Sequence, residues 1–216
     1  MRIALLFLLL LAQSQGPPAV LPPAASAQLT ASLTASRLHA RHVWRDTAPF
    51  DRAGRVTAFI EIPRGSRRKF EFDMGANRLR LDRVMPPGLA YPVNYGFVPQ
   101  TVSYDGDPFD VLVLGPALET GTILPGVMLG IMHMTDEKGL DSKVVVSPLD
   151  AAGKPRFTLT SAERERIGTF FQRYKRHEPG KFSRVTGWGP IDEGAAFVQR
   201  THAFFTAAGG PAGSRK

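Results

Sequence analysis

The stretch YDGDPFDVLV, residues 104–113, carries Asp105, Asp107 and Asp110 within six positions and then runs into an apolar segment. Carboxylates held together raise one another's pKa, so such a cluster persists cheaply only where cations or water sit among them. A second acidic group, Asp136, Glu137 and Asp141 in TDEKGLDSK, is followed by Lys143. Oxygen ligands of this kind suit hard divalent cations such as Mg2+, which keep part of their water. A helix-loop-helix calcium site is excluded, because Phe109 stands at its fifth position and Pro116 at its twelfth, where that site requires oxygen ligands. An ordinary solvated turn accounts for DGDPFD taken alone. Two acid-rich strand ends opening onto one mouth call for bound cations.

Positively charged and phenolic side chains are interleaved with these acids. Lys69 shares strand parity with Glu71; Arg83 has the parity of Leu79 and Leu81 and is expected to look inward; Tyr174 and Lys175 fall on an expected helix. Each has a plainer role when taken singly: a surface ion pair, a strand-end charge, helix core, a solvated helix residue. Combined with the carboxylates, they describe a mouth lined by metal ligands and phosphate-binding groups, the arrangement phosphoryl chemistry uses. His39, His42, His177 and His202 lack metal-ligand spacing, which argues against zinc, and His133 reads as strand packing.

The elements that must position these residues show in the hydrophobic periodicity. KFEFD puts Phe70 and Phe72 on one face and Lys69, Glu71 and Asp73 on the other, the period of a half-buried strand. VTAFIEI, RLRLDRV at 78–84, VLVL at 111–114, VMLGIMHM at 127–134 and KVVV at 143–146 read as further strands. Their spacing predicts a small closed or partly open antiparallel barrel. From Ser161 the period changes: Ile167, Phe170, Phe171 and Tyr174 form one stripe of an amphipathic helix, with Thr160 and Glu163 as a capping box. A second helix from about Asp192 is expected to bury Phe197, Val198, Phe204 and Phe205. The fold class is therefore α+β, with helices packed on the barrel.

The chain has 216 residues, 43% of them hydrophobic, enough for one core. Its formal charge of +8 suits an anionic partner. MRIALLFLLLLA pairs Arg2 with an apolar run over 3–12, too short to span a bilayer and suited to an export signal. Small residues in AASA place cleavage before Gln28, with an earlier cut after Ser14 as the alternative. This division gives a signal peptide at 1–27, an extension at 28–41, the main domain at 42–206 and a flexible tail at 207–216. The expected location is periplasmic or extracellular, without stable membrane association after cleavage. Zero cysteines leave packing, metal or oligomerisation to hold the fold.

The motifs together resemble a family I inorganic pyrophosphatase over residues 42–188. The signature of Asp, small residue, Asp, Pro, apolar, Asp, apolar is met by DGDPFDV, in order with IEIPRGSRRKFEFD, LDRVM, YPVNYGFVPQT, MTDEKGLDSK and FFQRYKRHEPGKF. HVWRDT also resembles the segment that opens some members, departing at Val43 and Arg45. The chain is shorter than bacterial members between Lys143 and Tyr174. The resemblance implies Mg2+ as cofactor, with Mn2+ as a substitute, held by Glu61, Asp105, Asp107, Asp110, Asp136 and Asp141. It implies Asp107 as the base, with Lys69, Arg83 and Tyr95 also catalytic. Lys69, Glu71, Arg83, Tyr95, Lys143, Tyr174 and Lys175 would bind pyrophosphate, and Tyr91 would shape the site. It further implies a homo-oligomer that hydrolyses pyrophosphate by direct attack of activated water. Two other functions stay open at this stage: a broader phosphohydrolase, and a basic barrel that stacks single-stranded nucleic acid on Phe70 and Tyr91. The acidic mouth argues against nucleic acid.

Overall fold

A computed structural model describes residues 17–211. The apolar run at 3–12 and the alternative cut after Ser14 lie outside these residues, as does the second half of the expected tail, 212–216.

Helix α1 (Pro23–Ser36) runs across the junction at Ala27 and Gln28. Proline at its first turn is pre-organised for helix entry, and Ala, Leu and Gln continue it. Its apolar stripe is narrow, little more than Ala25, Leu29 and Leu33, which is why a segment otherwise full of Ser and Thr looks like a polar extension. Those three side chains are buried. The two leucines pack in a cluster with Trp44, Phe59, Phe72, Phe97, Val102 and Phe205. Each buried leucine contributes about 1.5–3 kcal/mol of transfer free energy. The single turn α2 (Val43–Asp46) follows, and its buried Trp44 donates Nε1–H to the Thr101 carbonyl.

The strands are β1 (Val56–Ile62), β2 (Arg68–Asp73), β3 (Arg78–Val84), β4 (Asn94–Phe97), β5 (Asp110–Val113), β6 (Ile123–Asp136), β7 (Gly139–Leu140), β8 (Lys143–Pro148) and β9 (Ser183–Gly189). β1 pairs with β4, β4 with β5, β5 with β8, β8 with β6, and β6 back with β1, which closes a ring. β7 and β9 extend β6 beyond it. The architecture is α+β, as the periodicity implied, but not a uniform antiparallel barrel. The β5–β8 step is parallel, and bulges interrupt β1–β4 and β6–β8. β4 escapes detection from its pattern because it is four residues long and contains Gly96. A Cβ at Gly96 would stand 1.8 Å from the Phe59 carbonyl oxygen, so the β1–β4 approach requires glycine.

β2 and β3 are not part of the ring; they form a separate two-stranded sheet. Lys69 pairs with Arg83, and Phe70 pairs with Leu81, so Asp82 is the extra residue of a bulge. That bulge corrects the parity expected for Arg83. It moves Arg83 off the Leu79 and Leu81 face and onto the face of Lys69 and Glu71, while Leu81 is left 41% exposed.

Helix α3 (Ser161–Phe171) is capped by Thr160, whose hydroxyl accepts from the Glu163 N–H. The reciprocal half of the box is absent, because Glu163 pairs with Arg166. The helix ends one turn earlier than its stripe suggests. Gln172 is the C-cap, and Tyr174 and Lys175 lie in the turns beyond it, although Tyr174 still packs on Phe170 and Phe171. Helix α4 (Ile191–Ala207) buries Phe197, Val198, Thr201 and Phe205, with Phe204 only partly covered. Alternate residues of β5 and β8 feed two cores. Val111, Val113, Val144 and Val146 meet Phe197 and Val198 of α4, while Leu112 and Val145 pack with Phe170 and Phe171 of α3. With both faces covered, the centres of these strands, 111–113 and 144–146, are apolar without interruption.

Candidate active site

The acid-rich loop before β5 owes its shape to local hydrogen bonds. The Ser103 N–H donates to the Asp107 carbonyl at 2.6 Å, the Asp107 N–H donates to Asp105 Oδ1 at 3.2 Å, and Gly106 takes φ +92°. Asp110 then opens β5, and Asp136 closes β6. Both point into one cavity of about 370 Å³, with Asp105, Asp107, Asp141, Glu61 and Tyr95. The β2–β3 sheet supplies its other wall through Lys69, Glu71, Asp82 and Arg83, and the turns after α3 supply Tyr174 and Lys175. Tyr91 also lines it. Lys143 lies beneath the floor, 1% exposed, with its ammonium bonded to Asp110 and to Asp141 Oδ1. Lysine and tyrosine are layered there, the Lys143 Nζ standing 5.7 Å from the Tyr95 ring centroid and 5.6 Å from that of Phe171. Residues from positions 61 to 175 are thus gathered around a single pocket.

The charges alternate at hydrogen-bond distance. Lys69 Nζ stands 2.5 Å from Glu71 and 3.2 Å from Asp82. Lys175 Nζ stands 2.6 Å from Asp136 and 3.0 Å from Glu137. Arg83 Nη1 donates to Glu178 Oε2 at 2.6 Å, while Arg83 Nε and Glu178 Oε1 are buried without a hydrogen-bond partner. Arg83 itself lines the cavity, with Asp82 Oδ2 3.6 Å from its Nε.

The model of the family described as inorganic pyrophosphatase matches residues 58–206. An inorganic pyrophosphatase of Saccharolobus solfataricus is 39% identical over 153 residues, 67% of this chain and 88% of that protein. One from Ralstonia nicotianae is 42% identical over 142 residues, 62% and 81% of the two chains. Among solved structures, the inorganic pyrophosphatase of Thermus thermophilus superposes with a TM-score of 0.69 at 33% identity, covering 76% of this chain and 98% of that one. The chain belongs to the inorganic pyrophosphatase family.

For a pyrophosphatase-family pocket the electrostatics are informative. Burial pushes Glu61 up to about 8, although its Oε1 accepts the Phe72 N–H at 2.7 Å. Asp141 is pushed up to about 7 by burial, with Asp110 adding to it and Lys143 opposing. Asp107 rises to about 6 through desolvation and the neighbouring Asp105, against the pull of Lys138. Burial by itself would depress Lys143, but Asp110 and Asp141 outweigh it and hold the ammonium above its ordinary range. Desolvation raises the phenols of Tyr91, Tyr95 and Tyr174 well above their usual value, so they remain hydrogen-bond donors.

Among the described residues no three His, Cys, Asp or Glu side chains are drawn tightly enough to hold an ion as they stand. Lysine ammoniums sit between the acids: Lys143 joins Asp110 to Asp141, and Lys138 Nζ lies 3.6 Å from both Asp105 and Asp107. The donor set itself fits Mg2+, since it offers carboxylate oxygens alone, with pKa values raised first by burial and then by their neighbouring acids. Reading the sequence left four residues of this pyrophosphatase site without a role, three in the wall and one behind it. Asp82, Lys138 and Lys181 line it, and Glu178 holds Arg83. Lys138 carried a signal in its place inside TDEKG, flanked by two ligand-rich segments. Asp82 and Glu178 carried none.

Proposed function

We propose that this chain hydrolyses inorganic pyrophosphate to two orthophosphates at this pocket, using Mg2+, with Mn2+ as a substitute. The carrying observation is the interleaving of carboxylates and cationic side chains around one cavity, on a chain of net charge +8. Carboxylates alone would repel a tetra-anionic substrate, and lysines alone would leave it inert. Divalent cations held by Asp105, Asp110 and Asp141, and by Asp136 and Glu61, would neutralise substrate charge and acidify the attacking water.

The chain's own groups do the rest. Asp107, at the pocket rim and pushed up to about 6, is poised to accept a proton near neutral pH. Arg83 and Lys175 exchange Glu178, Asp136 and Glu137 for phosphate oxygens, and so stabilise the charge that grows on the leaving phosphate. Lys69 fixes the substrate from the β2–β3 wall, whereas Lys143, expected to bind it directly, lies beneath the floor and acts through Asp110 and Asp141. The phenols of Tyr95 and Tyr174 are positioned as donors to it. Water is the nucleophile, attacking one phosphorus in line as the bridging oxygen departs with the second phosphate.

The test is release of orthophosphate from pyrophosphate with Mg2+, abolished by chelator and much slower with ATP. Asp107→Asn should keep Mg2+ binding and lose turnover by orders of magnitude; near-normal turnover in that variant refutes Asp107 as base. Export to the periplasm or outside the cell is proposed from the leading apolar run at 3–12, with the earlier cut after Ser14, since a cut before Gln28 would remove the first turn of α1; mass spectrometry of the protein from its host reads the mature N-terminus. No described helix is long and apolar enough to cross a membrane. The same reading includes a homo-oligomer, which sedimentation velocity tests.

A further inference from the structure

Helix α1 lies outside residues 58–206, the part matched by the family, yet it reaches the acid-rich loop. Gln28 Nε2 donates to Asp107 Oδ1 at 2.9 Å across 79 residues of sequence. The Asp107 side chain sits among atoms that desolvate it in part, yet 51% of its surface still meets solvent, so packing does not fix its rotamer. Among the described residues its Oδ2 has only the looser neighbour Lys138, 3.6 Å away. The Gln28 amide is therefore the hydrogen bond that orients this carboxylate from outside its own loop.

The fit between helix and loop is close. A Cβ added at Gly106 would stand 2.7 Å from Gln28 Cδ and 3.1 Å from its Cβ, so the glutamine lies flat on the glycine that precedes Asp107. A second tie joins the residues just before α1 to the same loop, the Tyr104 hydroxyl donating to the Pro18 carbonyl at 3.0 Å. Leu29, adjacent to Gln28, is anchored with Val102 in one apolar cluster, which fixes the helix relative to the loop.

We propose that Gln28 is a positioning residue for Asp107, supplied by an N-terminal helix added to the family's domain. The inference rests on the assignment of Asp107 as the base. By donating to Oδ1, Gln28 holds the carboxylate in one rotamer and leaves Oδ2 directed toward Lys138 and the cavity. Misplacement of a reacting group by about 1 Å can cost two orders of magnitude in rate, so restricting one torsion at the base has a kinetic effect out of proportion to its effect on stability.

The test is steady-state kinetics of the full chain carrying Gln28→Met, which keeps the size and helix preference and removes the donor. The expected result is a kcat for pyrophosphate lowered about threefold to tenfold, the range of one ordinary solvent-exposed hydrogen bond. KM should stay within about twofold, and the melting temperature should be unchanged because Gln28 is exposed. Gln28→Glu replaces the donor with an acceptor and should lower kcat further; it also serves if methionine disturbs the helix. Thr30→Ala, exposed on the same helix and bonded only to Ser26 of its own turn, should leave both constants unchanged. In an Asp107→Asn background Gln28→Met should add nothing to the residual rate. An unchanged or raised kcat in Gln28→Met, or a change confined to KM, overturns the inference. If Asp107→Asn is inactive while Gln28→Met is normal, the positioning role alone falls. If Asp107→Asn turns over normally, the base assignment falls and the inference with it.

Discussion

Lys143→Met isolates the electrostatic bargain under the pocket floor. Lys143 is 1% exposed, and its two partners, Asp110 and Asp141, are each 18% exposed at the side chain. Breaking a buried pair by removing one partner costs about 3–5 kcal/mol, because the other charge is left uncompensated. Here two carboxylates are stranded, but both reach some water, and Asp141 already binds a proton near neutrality. The lower end of that range, about 3 kcal/mol, is therefore the expected loss. For a chain of this size each kcal/mol lowers the melting temperature by about 2–4 °C, which predicts a drop of about 6–12 °C in chelator. Methionine keeps the volume of the aliphatic stem, so packing against Phe171 and Tyr95 changes little. Magnesium should close much of the gap, since a divalent cation can occupy the charge the lysine vacates, and ligand at 100 times its Kd adds about 2.7 kcal/mol. The assay is thermal or urea unfolding of both proteins, with chelator and with millimolar Mg2+. A drop below about 2 °C in chelator, or a gap that Mg2+ leaves untouched, refutes the reasoning.

Two further outcomes follow from the same structure. Glu61 has a folded pKa of about 8 against an ordinary value of 4.5, so the folded state binds its proton more tightly than the unfolded one. Its contribution to stability is complete below about pH 4.5 and is lost as the pH rises through about 8. In chelator the wild-type chain should lose stability over that window, and Glu61→Gln should flatten the slope; urea midpoints across the range measure both, and an equal slope in the two proteins contradicts the assignment. Leu33→Ala removes one of the two leucines that seat α1, 3% exposed among Phe97, Val102 and Phe205. A loss of about 2–5 kcal/mol in urea unfolding is expected, whereas a near-zero change would mean that α1 is not docked.

What could be read from the sequence divides along the distance between interacting residues. Asp105 and Asp107, or Asp141 and Lys143, stand two positions apart, so spacing alone brings their charges together. The strand parity of Lys69 and Glu71 is similarly local, and the 2.5 Å pair follows from it. Arg83 shows where that logic stops. Its parity was legible and misleading, because the bulge at Asp82 reverses its face, and a bulge is set by pairing with the opposite strand rather than by residue type. Its partner Glu178 stands 95 residues away, in turns whose sequence shows no period. The case of α1 is subtler: Leu29 and Leu33 are spaced for a helix, but one apolar residue per turn gives a weak amphipathic signal, and only the aromatic cluster it covers explains why it docks. Gln28 inherits that invisibility. A neutral exposed side chain beside an expected cleavage site has no feature of its own to mark it, and its meaning arises solely from the loop on which the helix comes to rest. Residues that do chemistry announce themselves by type, whereas residues that aim them are defined by contacts, and contacts across 79 or 95 positions exist only once the chain has folded.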